Sequence, residues 1–213
     1  MNNKLFQKIA RKGSKKEIIA DEVVKNPEMI SVLFEGLNTD KASIKYGCEK
    51  ILHFISEKNP EVLYPHFGFF IKMLDCKNNI LKWGAITIIA NLTRVDLESK
   101  FERIFDKYFS FINGPVMISA ANTIRNAAKI VIAKPHLAEK IVQEILKVEY
   151  AHYQTSECVN VACGHTIDSL SKIYEQVQSK DQIVKFIQKQ LKNTRASVRK
   201  RAEKFLKKYK IPF

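Results

Sequence analysis

The chain has 213 residues, 46% of them hydrophobic, with 36 Lys and Arg against 22 Asp and Glu for a formal net charge of +14. That is enough apolar side chain for a substantial core, and seven glycines and six prolines are too few for a low-complexity protein. No apolar run approaches the roughly 20 residues that cross a bilayer as a helix, and basic residues 1–16 lack the apolar stretch of a secretory signal, so a cytoplasmic location without a membrane span is expected.

The charge is unevenly placed. Residues 1–16 carry six Lys or Arg and no acid, and residues 180–213 carry twelve against Asp181 and Glu203. Taking these from the totals leaves 18 basic and 20 acidic side chains in the 163 residues between. A neutral body with two basic ends lacks the continuous basic groove of a protein that wraps a duplex. The ends themselves keep nucleic-acid binding open.

In chain order, a helix is expected from Lys4 to Arg11, interrupted by Gly13, with Ser14 as N-cap of a second running to Val24. Residues 1–26 thus read as N-terminal capping helices. Asn26-Pro27 closes them and opens a helix with Met29, Ile30, Leu33, Phe34 and Leu37 on one stripe, followed by a partner over about Asp40 to Glu57. Asn59-Pro60 repeats the punctuation, with Val62, Leu63, Phe67, Phe70, Ile71 and Leu74 marking an outer helix and Ile80 to Arg94 its inner partner. The third pair joins Leu97 to Ile112, across a turn at Asn113-Gly114-Pro115, to a helix ending at Ala133. Pro135 to Val148 pairs with Glu157 to Val177, and Lys180 to Leu191 pairs with Arg195 to Tyr209. Repeats 27–57, 60–94, 97–133, 135–177 and 180–209 follow without a linker, as one domain.

The second helix of each pair carries a small residue followed three positions later by a bulky apolar one: Cys48/Ile51, Ala85/Ile88, Ala121/Ile124, Gly164/Ile167 and Ala202/Phe205. The small members are 37, 36, 43 and 38 residues apart, a period typical of stacked helical hairpins. The longer interval places an insertion at Glu149 to Ser156. Upstream of the small residue several pairs also share an apolar residue followed by a base, as Ile44-Lys45, Leu81-Lys82 and Val198-Arg199. This resembles the HEAT repeat, of which armadillo is the near neighbour. The resemblance implies an all-α fold, a right-handed α-α superhelix of about five hairpins, whose second helices line a concave, partner-binding face. Met117-Ile118 and Asn160-Val161 depart from the motif in the third and fourth repeats.

Four residues after the small position stand Leu52, Ile89, Arg125, Asp168 and Leu206. Opposite charges at equivalent steps of adjacent repeats predict a partly buried Arg125–Asp168 ion pair, read either as a staple between repeats or as part of a ligand site. Around it Asn122, Asn126 and Lys129 share one helix face, and His165, Ser169 and Lys172 the next. These eight residues are the candidate partner-binding patch, the alternative being a solvated helix face. In the insertion, Tyr150, His152 and Tyr153 read either as contact residues or as anchors of the loop itself.

Nine cations fall within residues 192–210. Lys192, Arg195, Arg199, Lys200, Arg201, Lys204, Lys207 and Lys208 form a candidate basic patch, either a polar capping repeat or a surface for an anionic partner. No cofactor, metal site or catalytic set is expected. His165, Asp168 and Ser169 lack the tight turn that exposes a nucleophile, and the spacing of His152, Cys158, Cys163 and His165 matches no usual zinc pattern. The four cysteines read as reduced thiols. Small basic HEAT-like proteins include alkylpurine DNA glycosylases, which use an Asp one turn beyond a Trp; here Trp83 is followed by Thr87, so those residues do not transfer. The leading expectation is a non-catalytic interaction module or scaffold for a protein partner, with nucleic-acid binding through the basic termini as the alternative and a repair glycosylase relative behind it.

Overall fold

The computed structural model describes residues 2–178 and 180–212, and among these all regular structure is helical. The chain packs as two compact units, Met1–Phe101 and Glu102–Phe213. The first contains α1 (Asn2–Ala10), α2 (Lys16–Lys25), α3 (Ile30–Leu37), α4 (Ala42–Lys58), α5 (Pro60–Leu63), α6 (Phe67–Met73) and α7 (Asn79–Leu92). The second contains α8 (Phe105–Phe109), α9 (Met117–Ala133), α10 (Ala138–Leu146), α11 (Ser156–Ile173), α12 (Lys180–Gln190) and α13 (Ala196–Lys208).

Three helices end by one device. Asn26, Asn59 and Lys134 each precede a proline and hold φ between −134 and −133 with ψ of 60 to 74, because the Pro ring excludes the helical region for the residue before it. The following Pro27, Pro60 and Pro135 then sit in a first turn, where the missing N–H removes no hydrogen bond. Asn78 caps α7 by accepting from Ile80 and Leu81 N–H, and Thr155 caps α11 by accepting from Cys158 N–H.

Within the first unit α4 packs on α1, α2, α3 and α7; within the second α11 packs on α9 and α13. The repeated pairs supply these contacts. Cys48, Ala85 and Ala202 are fully buried, as are Ile51, Ile88 and Ile124. A small side chain lets the neighbouring helix approach, and the bulky one a turn later fills the space beside it. The outer helices add aromatic layers, such as Phe34 stacked on Phe69 at 4.0 Å between centroids and Phe105 against Phe109 at 4.7 Å.

Three local expectations need correction. Ser14 does not cap α2: its Oγ donates to Ile9 O at 3.1 Å and accepts from Lys16 Nζ, leaving Lys15 at the N-cap position without a side-chain bond. The outer helix of the second pair is broken by a 3₁₀ turn, Tyr64–His66, at Pro65, which has no N–H to continue the α ladder. Leu97 does not start a helix. Asp96, 6% exposed, accepts from the N–H groups of Lys100 and Phe101 at 2.9 Å and from the Tyr64 hydroxyl at 2.6 Å. Folding the chain around this carboxylate puts Ser99 at φ 54 and leaves Leu97 95% exposed.

Candidate functional site

The polar patch expected on the inner helices is split by the way α9 and α11 are turned. In α4, α7 and α13 the residue four beyond the small position, Leu52, Ile89 or Leu206, is fully buried. In α9 and α11 that step carries Arg125, which is exposed, and Asp168, which is half-exposed. The residues two and five beyond the small position are buried there, Thr123 and Asn126 on α9 and Thr166 and Ser169 on α11, whereas Lys50 of α4 and Lys204 and Lys207 of α13 are exposed at those steps. One residue is about 100° around a helix, so these two helices are rotated by about one residue relative to α4 and α13. Their charged step faces outward and a polar strip faces inward.

Three members of the buried strip are satisfied within their own helix. Thr123 Oγ1 donates to Ser119 O, Thr166 Oγ1 to Ala162 O, and Asn126 Nδ2 to Asn122 O, at 3.1, 3.1 and 2.9 Å. Ser169 Oγ, 2% exposed, makes no such bond. Asn126 and Ser169 therefore lie inside the packing and not on the outer face. Asn122, Arg125, Lys129, His165, Asp168 and Lys172 remain on it, partly or fully exposed.

The Arg125–Asp168 pair is not made. Arg125 turns back on its own helix, its Nε donating to Ala121 O at 3.2 Å and its Nη2 to Asn122 Oδ1 at 3.3 Å. Asp168 instead meets Arg201 of α13 at 3.0 Å, with both side chains well hydrated at 47% and 39% exposed. Arg201 reaches it across Gly164, where a Cβ would lie 2.8 Å from the Arg201 Nη1. His165 stands beside this pair. Burial, Arg125 and Arg201 push its pKa below the ordinary imidazole value, with Asp168 opposing.

Much of the expected basic patch is occupied in tying α13 to α11. Arg195 pairs with Glu157, and Thr194 accepts from Asn160 at 2.9 Å. Lys208 Nζ and the Tyr209 hydroxyl both donate to Ser171 O, at 3.0 and 2.8 Å. Arg199 Nη1 donates to the carbonyls of Asn193 and Thr194 at 2.7 and 2.8 Å, closing the turn between α12 and α13. The side chains of Lys192, Lys200, Lys204 and Lys207 are exposed and make no hydrogen bond or ion pair with the described residues.

Because contacts advance together from Glu157/Arg195 through Asp168/Arg201 to Ser171/Lys208, α11 and α13 run parallel. Between their facing rows lies an open groove of about 780 Å³, its walls formed by Lys172 and Glu175 on one side and Lys204 on the other. Phe205 and Tyr209 line it as well, held with Tyr174 in a three-ring cluster with centroids 4.4 to 5.1 Å apart. The sequence pattern did not single out this groove, since Ser171, Glu175 and Tyr209 lie outside the repeated motif. In the insertion, Tyr153 is an anchor, donating its hydroxyl to Ile112 O at 2.6 Å, while Tyr150 is 75% exposed and His152 is exposed. Among the described residues no group of three or more His, Cys, Asp or Glu is placed to hold a metal ion, and no helix is long and apolar enough to cross a membrane.

Two solved structures share this architecture. A designed armadillo repeat protein matches with a TM-score of 0.56 at 16% identity, over 97% of this chain and 90% of its own. An engineered protein matches with a TM-score of 0.52 at 14% identity, over 98% and 88%. No family model matches the sequence, and no curated protein does.

Proposed function

We propose that this armadillo-like helical-repeat chain is a non-catalytic interaction module that holds a protein partner on the outward face of α9 and α11. The observation that carries the reading is the turn of these two helices. They direct Asn122, Arg125 and Lys129, and His165, Asp168 and Lys172, to solvent, whereas α4 and α7 bury an aliphatic residue at the matching step. The helices meet Thr and Asn side chains inside their packing to keep that polar file outside, a placement that packing alone does not require. Helical-repeat folds offer such contiguous faces to extended partners.

That each similar structure spans nearly the whole chain supports reading residues 27–209 as one run of repeats. The free, buried Cys48 and Cys163 support a reducing, cytoplasmic setting. Nucleic-acid binding through the basic ends is the weaker reading, because Arg195, Arg199, Arg201 and Lys208 already bond within the protein.

The test is affinity capture from the native cell with the wild-type chain and with Arg125→Glu/Lys129→Glu. A partner retained by the first and lost by the second supports the face on α9 and α11. Identical capture by both, or binding of single-stranded DNA that tightens steeply as salt is lowered, overturns it.

A further inference from the structure

We infer that the groove between α11 and α13 takes an acidic segment of the partner protein, a stretch in which carboxylates flank an apolar side chain; this rests on the reading that the inner-helix face binds a protein. Two contacts bound the groove. At one end Arg201 meets Asp168 at 3.0 Å, and at the other Lys208 and Tyr209 meet Ser171 O at 3.0 and 2.8 Å. Arg201 and Lys208 are seven residues apart, about 10 Å along a helix. The walls themselves are set before any ligand arrives by the packing of α11 on α13, with Ile167 and Phe205 buried, which lowers the ordering cost of binding.

Between these contacts the charge is left open. Lys204 lies one turn beyond Arg201 and one turn before Lys208, so all three share a face of α13. Lys172, one turn beyond Asp168, lines the facing wall. Neither the Lys172 nor the Lys204 side chain makes a hydrogen bond or ion pair with the described residues. Glu175, the other carboxylate on the lining, is engaged by Lys180 at 3.6 Å, and Asp168 by Arg201. Two ammonium groups that face one groove with no carboxylate paired to either repel each other, and a carboxylate lodged between them relieves that repulsion with charge-assisted hydrogen bonds.

The lining also chooses the class of anion. Phe205, buried beneath the groove, and the half-buried Tyr209 give it an apolar floor. Their rings pack on one another and on Tyr174 and do not stand out as platforms for stacked bases. Asp168 and Glu175 interrupt the basic wall, which a continuous phosphate backbone would have to pass. An acidic peptide with a Leu or Phe between its carboxylates meets the two lysines and the floor together.

The experiment uses the whole chain and a short fluorescein-labelled peptide repeating Glu-Glu-Leu, read by anisotropy, with a Lys-Lys-Leu peptide and oligothymidylate of equal charge as comparators. The acidic peptide should bind saturably, and Lys172→Glu/Lys204→Glu should weaken it by at least about tenfold, or about 1.4 kcal/mol. Lys192→Glu/Lys200→Glu removes the same charge outside the groove and should leave binding within about threefold of the wild type. Carbodiimide coupling should join the peptide to Lys172 or Lys204. No binding, equal loss in both double variants, or tighter binding of oligothymidylate in the groove overturns the proposal. If native capture stays sensitive to Arg125→Glu/Lys129→Glu while the acidic peptide fails, only this inference falls. If the peptide binds in the groove and capture is unselective, only the proposed partner face falls.

Discussion

Leu52 in the first unit and Asp168 in the second occupy the same step of the repeat, four residues after its small member, yet Leu52 is fully buried and Asp168 is 47% exposed. The step two residues earlier changes the opposite way: Lys50 is exposed on α4 while its counterpart Thr166 is fully buried on α11. A repeat period thus fixes which residues stack, here Ile51 and Ile167 alike, without fixing how each helix is turned about its axis. The rotation frees α9 and α11 to show charge, and it makes the second unit the place to seek a ligand.

The largest expected effect breaks this comparison directly. Leu52→Ala leaves a cavity in a closed core and should cost about 2 to 5 kcal/mol of unfolding free energy. Asp168→Ala opens an ion pair that water already screens and should cost under about 1 kcal/mol. Denaturant melts of the two variants give the numbers, and equal losses would mean that the two steps are buried alike.

A second contrast concerns charges laid across glycines. In the second unit Arg201 crosses Gly164 and finds Asp168. In the first unit Glu49 lies against Gly84, whose Cβ would fall 2.3 Å from its Oε1, and it has no hydrogen-bond or ion-pair partner among the described residues. Burial raises its pKa from 4.5 to about 7, with Lys50 opposing. A carboxyl with a raised folded-state pKa favours folding in its protonated form, so its cost is absent below 4.5 and grows as pH rises to about 7. The span corresponds to at most about 3 kcal/mol. Between pH 5 and 8 the wild type should lose stability that Glu49→Gln retains; parallel pH curves would show that Glu49 is solvated after all.

Hairpin spacing and helix ends were legible in the sequence because they rest on local chemistry, as in the residue before each of Pro27, Pro60 and Pro135. The two similar solved structures share the helical-repeat fold to which that periodicity points. The candidate site was legible only in part. Asp168 stood out as a charge at an apolar step, but its partner was assigned by register to Arg125, whereas the pairing follows helix rotation and the gap above Gly164. No one-dimensional pattern records either. Leu97 departs from its expected helix for a related reason: a stripe of apolar letters gives no sign that Asp96 draws the chain into a loop.

Two tyrosines extend the comparison to smaller effects. Tyr64 donates to the carboxylate of Asp96 in the first unit, and Tyr153 to the neutral carbonyl of Ile112 in the second, both at 2.6 Å. Hydrogen bonds to a charged acceptor are the stronger, so Tyr64→Phe should cost about 2 kcal/mol and Tyr153→Phe about 1. The reverse order in thermal melts would place the tighter loop in the second unit.

The smallest effect is a titration at the site itself. His165 is held below its ordinary pKa by burial first, then by Arg125 and Arg201, so the unfolded chain takes up its proton more readily than the folded one. Its contribution to stability is therefore lost as pH falls from 6.5 toward the lower folded-state value. Removing a neighbouring cation by Arg201→Gln should move the imidazole titration upward in NMR, and removing the anion by Asp168→Asn should move it further down. An acidic peptide lodged near these groups should act like the first change and raise it. Shifts of one sign in both variants would mean that burial alone sets the imidazole, with no electrostatic link between α11 and α13.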